Sequence, residues 1–586
     1  MVNLKSMPYN LSYPDVKWVK DTIKNMTPEE KVGQLFFQLT ASQEESYLKE
    51  LVEKYHLGGC RYNPLTAEKL AKQNEILQKY SKIPLFIACN PEKGGDGVCS
   101  DGSEVGSAIK VGATGKVEYA EVMGRVSGEE MWAVGCNMAF APVVDILYNY
   151  RCEEVLSRSF GNSPERVAEM GVAYMRGLHK TEGIAATAKH FPGNGLDYRD
   201  AHISNNINDF GLDEWMKTYG QVYKTLINEG LDAIMGGHIL MPTLIRDIKG
   251  NVPSEDILPA TLSYDIMTSL LRERLSFNGL VVTDASHMVA MTNRMKRVNM
   301  LPLAINAGCD MFLFFNDPDE DYNTMLKAYQ EGVISERRME EALTRILGLK
   351  AKLGLHKKKD YQANSADLTT IIYNNEHKSY FSAISRDAIT LVKNLDKNVL
   401  PLSPERTKKI MIVPIGGSEN ALTPLLKMYA GGGGKQTPAE KLKERLEKRG
   451  FEVFIYESPI ERMKEMIKRG EKPSLNLYFA GKHSIEDFVS GQDLVISLFD
   501  VMNGPPSFGL SKGGGEIPWY VHELPVIGIS VNKPTILADC PMIRTYINAY
   551  DSRDATMDAL VDALLTGNFK GKDPIDSFCG MWDTRI

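Results

Sequence analysis

Residues 279–285 read GLVVTDA, a glycine, a run of aliphatic and β-branched residues, and an aspartate near its end. A short apolar run bounded in this way spells a strand buried on both faces. Outward from it, the same reading recurs in IPLFIAC (83–89), MAFAPVVDI (138–146), GIAATAKHF (183–191), LDAIMGGHI (231–239) and CDMFLFF (309–315). Amphipathic helical patterns stand between these runs, among them PERVAEMGVAYMRGLHK (164–180) and YDIMTSLLRERL (264–275). Strand and helix alternate to about residue 350, as a parallel sheet demands, and the number of units favours a closed (β/α)8 barrel of the TIM type.

The first element of this series is marked by Thr27-Pro28-Glu29-Glu30, which pairs a capping hydroxyl with a carboxylate three residues on and is followed by VGQLFF (32–37). A helix is expected to start there. At the other end, HKKKDYQANSADL (356–368) is polar, without apolar periodicity, and reads as a linker. Beyond it come an expected helix through RDAITLVKN (386–394) and strands in KIMIVPI, EVFIYE, DLVISLFDV and LPVIGISV. The expected layout is a catalytic barrel over 1–355, a linker over 356–374 and a second α/β sandwich domain over 375–586.

Composition narrows the function. The 586 residues are 43% hydrophobic and 24% charged, an ordinary globular balance, and the formal net charge of −7 provides no basic field for nucleic acid. Eight cysteines are scattered without a C-x-x-C pair, and no run approaches the length of a membrane span. With no apolar leader in MVNLKSMPYNLSYPDVKW, the expected setting is cytoplasmic, with reduced thiols and no membrane partner.

The densest polar cluster is KHFPGNGLDYRDAH (189–202), a loop expected at the C-terminal face of a barrel. Within it, Asp200 and His202 are spaced so that a turn lets the carboxylate hold one ring nitrogen and leaves the other for proton transfer. A solvated surface hydrogen bond, or metal binding with His190, are alternatives, although no known ligand spacing supports a metal. Asp284, ending GLVVTD, suits a nucleophile attacking an electrophilic carbon, and it equally suits a helix cap. Arg158, Asp145, Lys189 and His190 stand at strand ends or in the following loops, placed either for binding hydroxyl groups or for structural ion pairs. YAGGGGKQT (429–437) fails the phosphate-loop pattern because Tyr429 and Gln436 occupy its first glycine and hydroxyl positions. No cofactor is expected.

Together RSFG (158–161), AATAKHFPGNG (185–195), the D-x-H at 200–202, PATLS (259–263) and FNGLVVTDASHM (277–288) resemble family 3 glycoside hydrolases of the β-N-acetylglucosaminidase branch. The resemblance extends into the C-terminal α/β domain through RDAITLVKN, LPL (400–402) and PTILADCPMIRTYINAY (534–550). It implies that Asp284 is the nucleophile of a retaining mechanism, that His202 with Asp200 is the acid/base, and that Arg158, Lys189 and His190 bind sugar hydroxyls, with Asp145 in the same pocket. One stretch departs from the family pattern D-x-E-G-G with an arginine shortly after. Residues 88–102 read ACNPEKGGDGVCSDG, so Asn90 replaces the aspartate and no arginine follows. Asn90 still offers hydrogen bonds to a hydroxyl, without charge. Asn194, where the family often carries histidine, likewise donates and accepts but cannot carry a proton. The expected activity is hydrolysis of terminal β-linked N-acetylglucosamine in a small carbohydrate. A β-glucosidase or phosphorylase on the same fold, or a non-catalytic carbohydrate-binding protein, are the alternatives, and a homodimer is among the expected assemblies.

Overall fold

Eight parallel strands close into a barrel: β1 (Phe36–Leu39), β2 (Gly59–Arg61), β3 (Phe86–Cys89), β4 (Met138–Ala139), β5 (Ala185–Phe191), β6 (Ala233–Gly236), β7 (Leu280–Ala285) and β8 (Met311–Leu313). Each pairs with the next in sequence, and β8 returns to β1 through Phe312 and Phe36. The strands are short and almost wholly buried, as expected of a barrel whose interior is filled by side chains. This computed structural model describes residues 2–357, 365–416, 436–456, 459–472, 485–501 and 518–586. Among the described residues no helix is long and apolar enough to cross a membrane, and all eight cysteines are unpaired.

The helix expected at Thr27 starts there with its capping box to Glu30 formed, stops at Gly33, and the apolar run continues as β1; two later readings are corrected. Two contacts explain the stop. A Cβ on Gly33 would lie 2.1 Å from the Tyr55 carbonyl, and the Gln34 amide donates to the carbonyls of His56 and Leu57. In MAFAPVVDI only Met138–Ala139 stays in the ladder. Pro142 has no N–H to offer, and the chain rejoins the sheet through a single bridge between Val143 and Lys189. The second correction is in RDAITLVKN, where the helix Asn375–Ala388 ends and Thr390–Asn394 runs as an edge strand. The β-branched Thr390 and Val392 fit a pleated surface better than a helix.

The chain divides into two compact units, Met1–Ala108 with Lys116–Tyr380, and Ile109–Gly115 with Phe381–Ile586. The second holds a six-stranded sheet of β9 (Thr390–Asn394), β10 (Lys409–Gly416), β11 (Glu452–Ile455), β12 (Leu494–Asp500), β13 (Val526–Ser530) and β14 (Thr545–Asn548). Its order is β9-β14-β13-β12-β10-β11, parallel except for the β9–β14 pair. Lys110, from the early segment, is fully buried in this unit, its ammonium 2.8 Å from both Ser385 Oγ and Thr556 Oγ1 and 2.5 Å from Asp551 Oδ2. Of the glycine-rich stretch 429–437, residues 429–435 lie outside the described residues, as do 358–364 of the polar segment. Thr437 itself caps the helix Pro438–Glu447, reciprocally with Glu440.

Candidate active site

The C-terminal end of β7 delivers Asp284 to the rim of the barrel. Its Oδ1 accepts from the Ala285 N–H at 2.7 Å, and its Oδ2 lies 3.9 Å from His190 Nε2. Burial works to raise the pKa of this carboxyl. The opposing influence of His190, His238 and the Ala285 N–H outweighs it and holds the group below the usual aspartate range. The result is an ionised carboxylate partly shielded from water.

His190 is placed by β5, where the ladder shifts register between Lys189 and Phe191. Its Nδ1 lies 2.7 Å from Asp145 Oδ2. Asp145 is fully buried, and its other oxygen accepts from the backbone N–H groups of His190 and Asn194. Asp145 therefore spends its carboxylate on His190 and the loop, and it reaches the rim only through that imidazole. The remaining nitrogen, Nε2, faces Asp284 and stands 3.4 Å from Arg158 Nη2.

The loop after β5 can fold this way because of two glycines. Gly193 and Gly195 take φ of +122° and +106°, and a Cβ on either would strike the Tyr219 ring or the Ile146 carbonyl at 2.1 Å. Between them Asn194 donates to Glu154 Oε2 at 3.0 Å and accepts from Asn206 Nδ2 at 3.0 Å. The sequence expectation of an amide that both donates and accepts describes this position.

Asp200 and His202 meet as their spacing suggests. Asp200 Oδ1 accepts from the His202 backbone N–H at 2.8 Å and lies 2.7 Å from Nδ1, which leaves Nε2 for other partners. The side chains are 42% and 54% exposed. The hydrogen bond that His202 donates to Asp200 raises the affinity of His202 for its proton, and the same bond lowers the Asp200 pKa. The turn is tied to the segment that follows Asp284: Val289 and Ala290 N–H groups donate to the carbonyls of His202 and Ala201. Ala201, Met288 and Ala290 pack in one small apolar cluster with Ala285. Asp284 also contributes to the raised proton affinity of His202.

Beside them, Arg158 grips Glu92 with two bonds, Nε to Oε2 at 2.7 Å and Nη2 to Oε1 at 2.9 Å, and Lys189 Nζ lies 2.6 Å from the same carboxylate. Burial raises the Glu92 pKa, but the two cations outweigh it and hold the carboxylate well below its usual range. Asn90 stands at the end of β3, two residues before Glu92, with its carbonyl accepting from the Glu92 N–H at 2.8 Å.

Three participants were passed over in the sequence. Glu92 lies inside the quoted 88–102 stretch, and a charged residue beside two glycines at a strand end was the available signal. Glu154 sits four residues before Arg158, on the same run of turns. His238 closes the run LDAIMGGHI; buried beside Asp284, its pKa is lowered by burial, and its Nε2 and Nδ1 lie 3.1 Å from the Ala285 carbonyl and 2.7 Å from Thr261 Oγ1. An imidazole at a barrel strand end was its signal. The arrangement brings an ionised Asp284, the Asp200–His202 pair and the cations Arg158 and Lys189 together at one end of the barrel.

Residues 27–349 match the description "Glycosyl hydrolase family 3 N terminal domain". The chain is 34% identical, over the full length of both proteins, to a β-N-acetylglucosaminidase/β-glucosidase of Cellulomonas fimi. Among solved structures, a β-glucoside phosphorylase, BglX, is 36% identical with a TM-score of 0.87, covering 99% of each chain. A family 3 β-N-acetylglucosaminidase from Paenibacillus sp. str. FPU-7 is 25% identical, with a TM-score of 0.75 over 94% of this chain and 99% of that one. With all eight barrel strands inside the matched span 27–349 and the Cellulomonas relative aligned over its full length, the chain belongs to glycosyl hydrolase family 3.

Proposed function

We propose that the protein is a retaining β-glycosidase that removes a terminal β-linked N-acetylglucosamine or glucose from a small carbohydrate. Asp284 attacks the anomeric carbon as His202 gives its Nε2 proton to the departing oxygen, leaving a glycosyl-enzyme. The neutral imidazole then takes a proton from water, whose oxygen displaces Asp284 and restores the original configuration. The observation that carries this reading is the paired placement of an ionised Asp284 and a proton-holding His202 on elements joined by the Val289 and Ala290 hydrogen bonds. In this reading Arg158, Lys189 and His190 bind the sugar hydroxyls, and Asn90 meets one without a charge. The wide naming of the Cellulomonas relative, which covers both sugars, supports the breadth of the proposed donor. A cytoplasmic setting goes with the eight unpaired cysteines.

Phosphate in place of water in the second step is a second reading. It is favoured by the similarity to a β-glucoside phosphorylase across 99% of both chains. An imidazole that has given up its proton adds no negative charge against an incoming phosphate, which needs no base to attack. Incubating N-acetylglucosamine and glucose β-disaccharides with and without phosphate tests both. Free sugar released independently of phosphate supports hydrolysis; sugar 1-phosphate, formed only with phosphate, supports the second reading. No turnover of either donor under either condition overturns both in favour of a non-catalytic carbohydrate-binding protein.

A further inference from the structure

We infer that Glu154 is a positioning residue for the acid/base turn, holding the Asp200–His202 segment in place from beneath and facing its imidazole with a second carboxyl group. The inference rests on the functional reading above and adds a residue to it.

Asp200 and His202 are half exposed, whereas the Glu154 side chain is only 6% exposed. A turn that must present an imidazole to within a fraction of an ångström needs an anchor more rigid than itself. Glu154 supplies one. Its Oε2 accepts from the Ala201 backbone N–H at 3.3 Å, the residue between the two dyad members, and from Asn194 Nδ2 at 3.0 Å. Its Oε1 lies 3.8 Å from His202 Nδ1, and one polar atom of each of Glu154, Asp200 and His202 lies within 4.8 Å of the others.

The anchor is also wired to the sugar wall. The Glu154 carbonyl accepts from Arg158 Nη1 at 3.1 Å, and Asn194, gripped by the Glu154 carboxyl, sends its backbone N–H to Asp145, which orients His190. One residue, by its carboxylate and its backbone carbonyl, therefore ties the acid/base turn to the parts of the site that flank Asp284. The Val289 and Ala290 hydrogen bonds hold the turn from the opposite side.

The charged neighbours fix the sign of its electrostatic effect. Glu154 is faced by His190, Asp200, Arg158 and Asp284, and His202 by Asp200, Glu154 and Asp284. Burial, with Asp200 and Asp284, raises the Glu154 pKa above the usual glutamate range, and His190 and Arg158 only partly offset them. As a carboxylate it helps His202 keep its proton, so neutralising it makes that proton easier to lose.

The test compares Glu154→Gln and Glu154→Ala with the parent on aryl β-glycosides of poor and good leaving groups, with kcat and KM measured across pH. Glu154→Gln keeps an acceptor for Ala201 without the charge. It is expected to lower kcat for poor leaving groups about tenfold, with little change in KM, and to move the alkaline limb of kcat down by about half a pH unit. Glu154→Ala, which loses the anchor as well, is expected to lose about a hundredfold in kcat while a fluorosugar with an activated leaving group still labels Asp284. A Glu154→Gln enzyme with the parental kcat and alkaline limb overturns the inference, as does a loss confined to KM or thermal stability. Asp284→Asn and His202→Ala, run alongside, separate the two levels. If those variants stay active the functional reading fails, and if they are inactive while Glu154→Gln is unchanged only the inference fails.

Discussion

His190 Nε2 stands 3.9 Å from Asp284 Oδ2 while its Nδ1 is held at 2.7 Å by Asp145. A buried carboxylate behind an imidazole thus sets the ring that faces the proposed nucleophile, and His238 approaches Asp284 from the neighbouring strand β6. The two imidazoles, together with the Ala285 N–H and Lys189, hold Asp284 below the usual aspartate range in spite of burial.

Asp284→Asn is therefore expected to reduce kcat by about 10⁴-fold without unfolding the protein, since it removes a desolvated charge as well as the nucleophile. Steady-state kinetics beside thermal denaturation checks both halves. Mass spectrometry of the enzyme after a fluorosugar should find the label on the peptide carrying Asp284.

Asp200→Asn should move the alkaline limb of kcat to lower pH, because the hydrogen bond accepted by Asp200 is the largest influence raising the proton affinity of His202. His202→Ala should cost about 10²- to 10⁴-fold on natural disaccharides and much less on aryl glycosides whose leaving groups need no proton. A uniform loss across leaving groups would remove His202 from the acid role.

Glu92→Gln leaves Arg158 and Lys189 without their shared carboxylate in a buried setting. A loss of about 3 kcal/mol in unfolding free energy is expected, together with a raised KM as the two cations lose their fixed geometry. Urea unfolding and substrate titration measure the two effects separately.

His377 supplies a pH prediction away from the site. Its ring is fully buried, Nδ1 2.9 Å from Glu130 and Nε2 2.8 Å from Glu129. Burial alone would lower its pKa, but the two carboxylates outweigh that and raise it to about 9. Because the folded value exceeds the unfolded one, the stabilisation is complete below about pH 6.5 and is lost as pH rises through about 9, with an order of 3 kcal/mol at stake. Melting temperatures taken from pH 6 to 10 should fall across that window, and His377→Gln should flatten the curve.

The barrel was legible because six of its strands lie in apolar runs ended by glycine or a polar residue. The two that were missed, Phe36–Leu39 and Gly59–Arg61, are short and adjoin a capped helix and a glycine pair, so local propensity pointed elsewhere. In the site, Asp200 and His202 were visible because their partnership spans two residues. Glu92 was not, because its partners Arg158 and Lys189 are distant in sequence, and an ion pair made by folding leaves no periodic trace. Glu154 was equally silent, since the groups it holds, Asn194 and Ala201, lie on another loop. The strand at Thr390–Asn394 was misread because the preceding helix supplies the stronger pattern up to Ala388.

The seven residues Ile109–Gly115 leave the ribosome long before the rest of the sheet-bearing unit that encloses Lys110. Dividing the gene at the polar segment after residue 355 would strand that lysine in the wrong fragment, its ammonium stripped of Asp551, Ser385 and Thr556. The two halves are thus interleaved along the polypeptide, and neither fragment of such a cut contains every piece of its own fold.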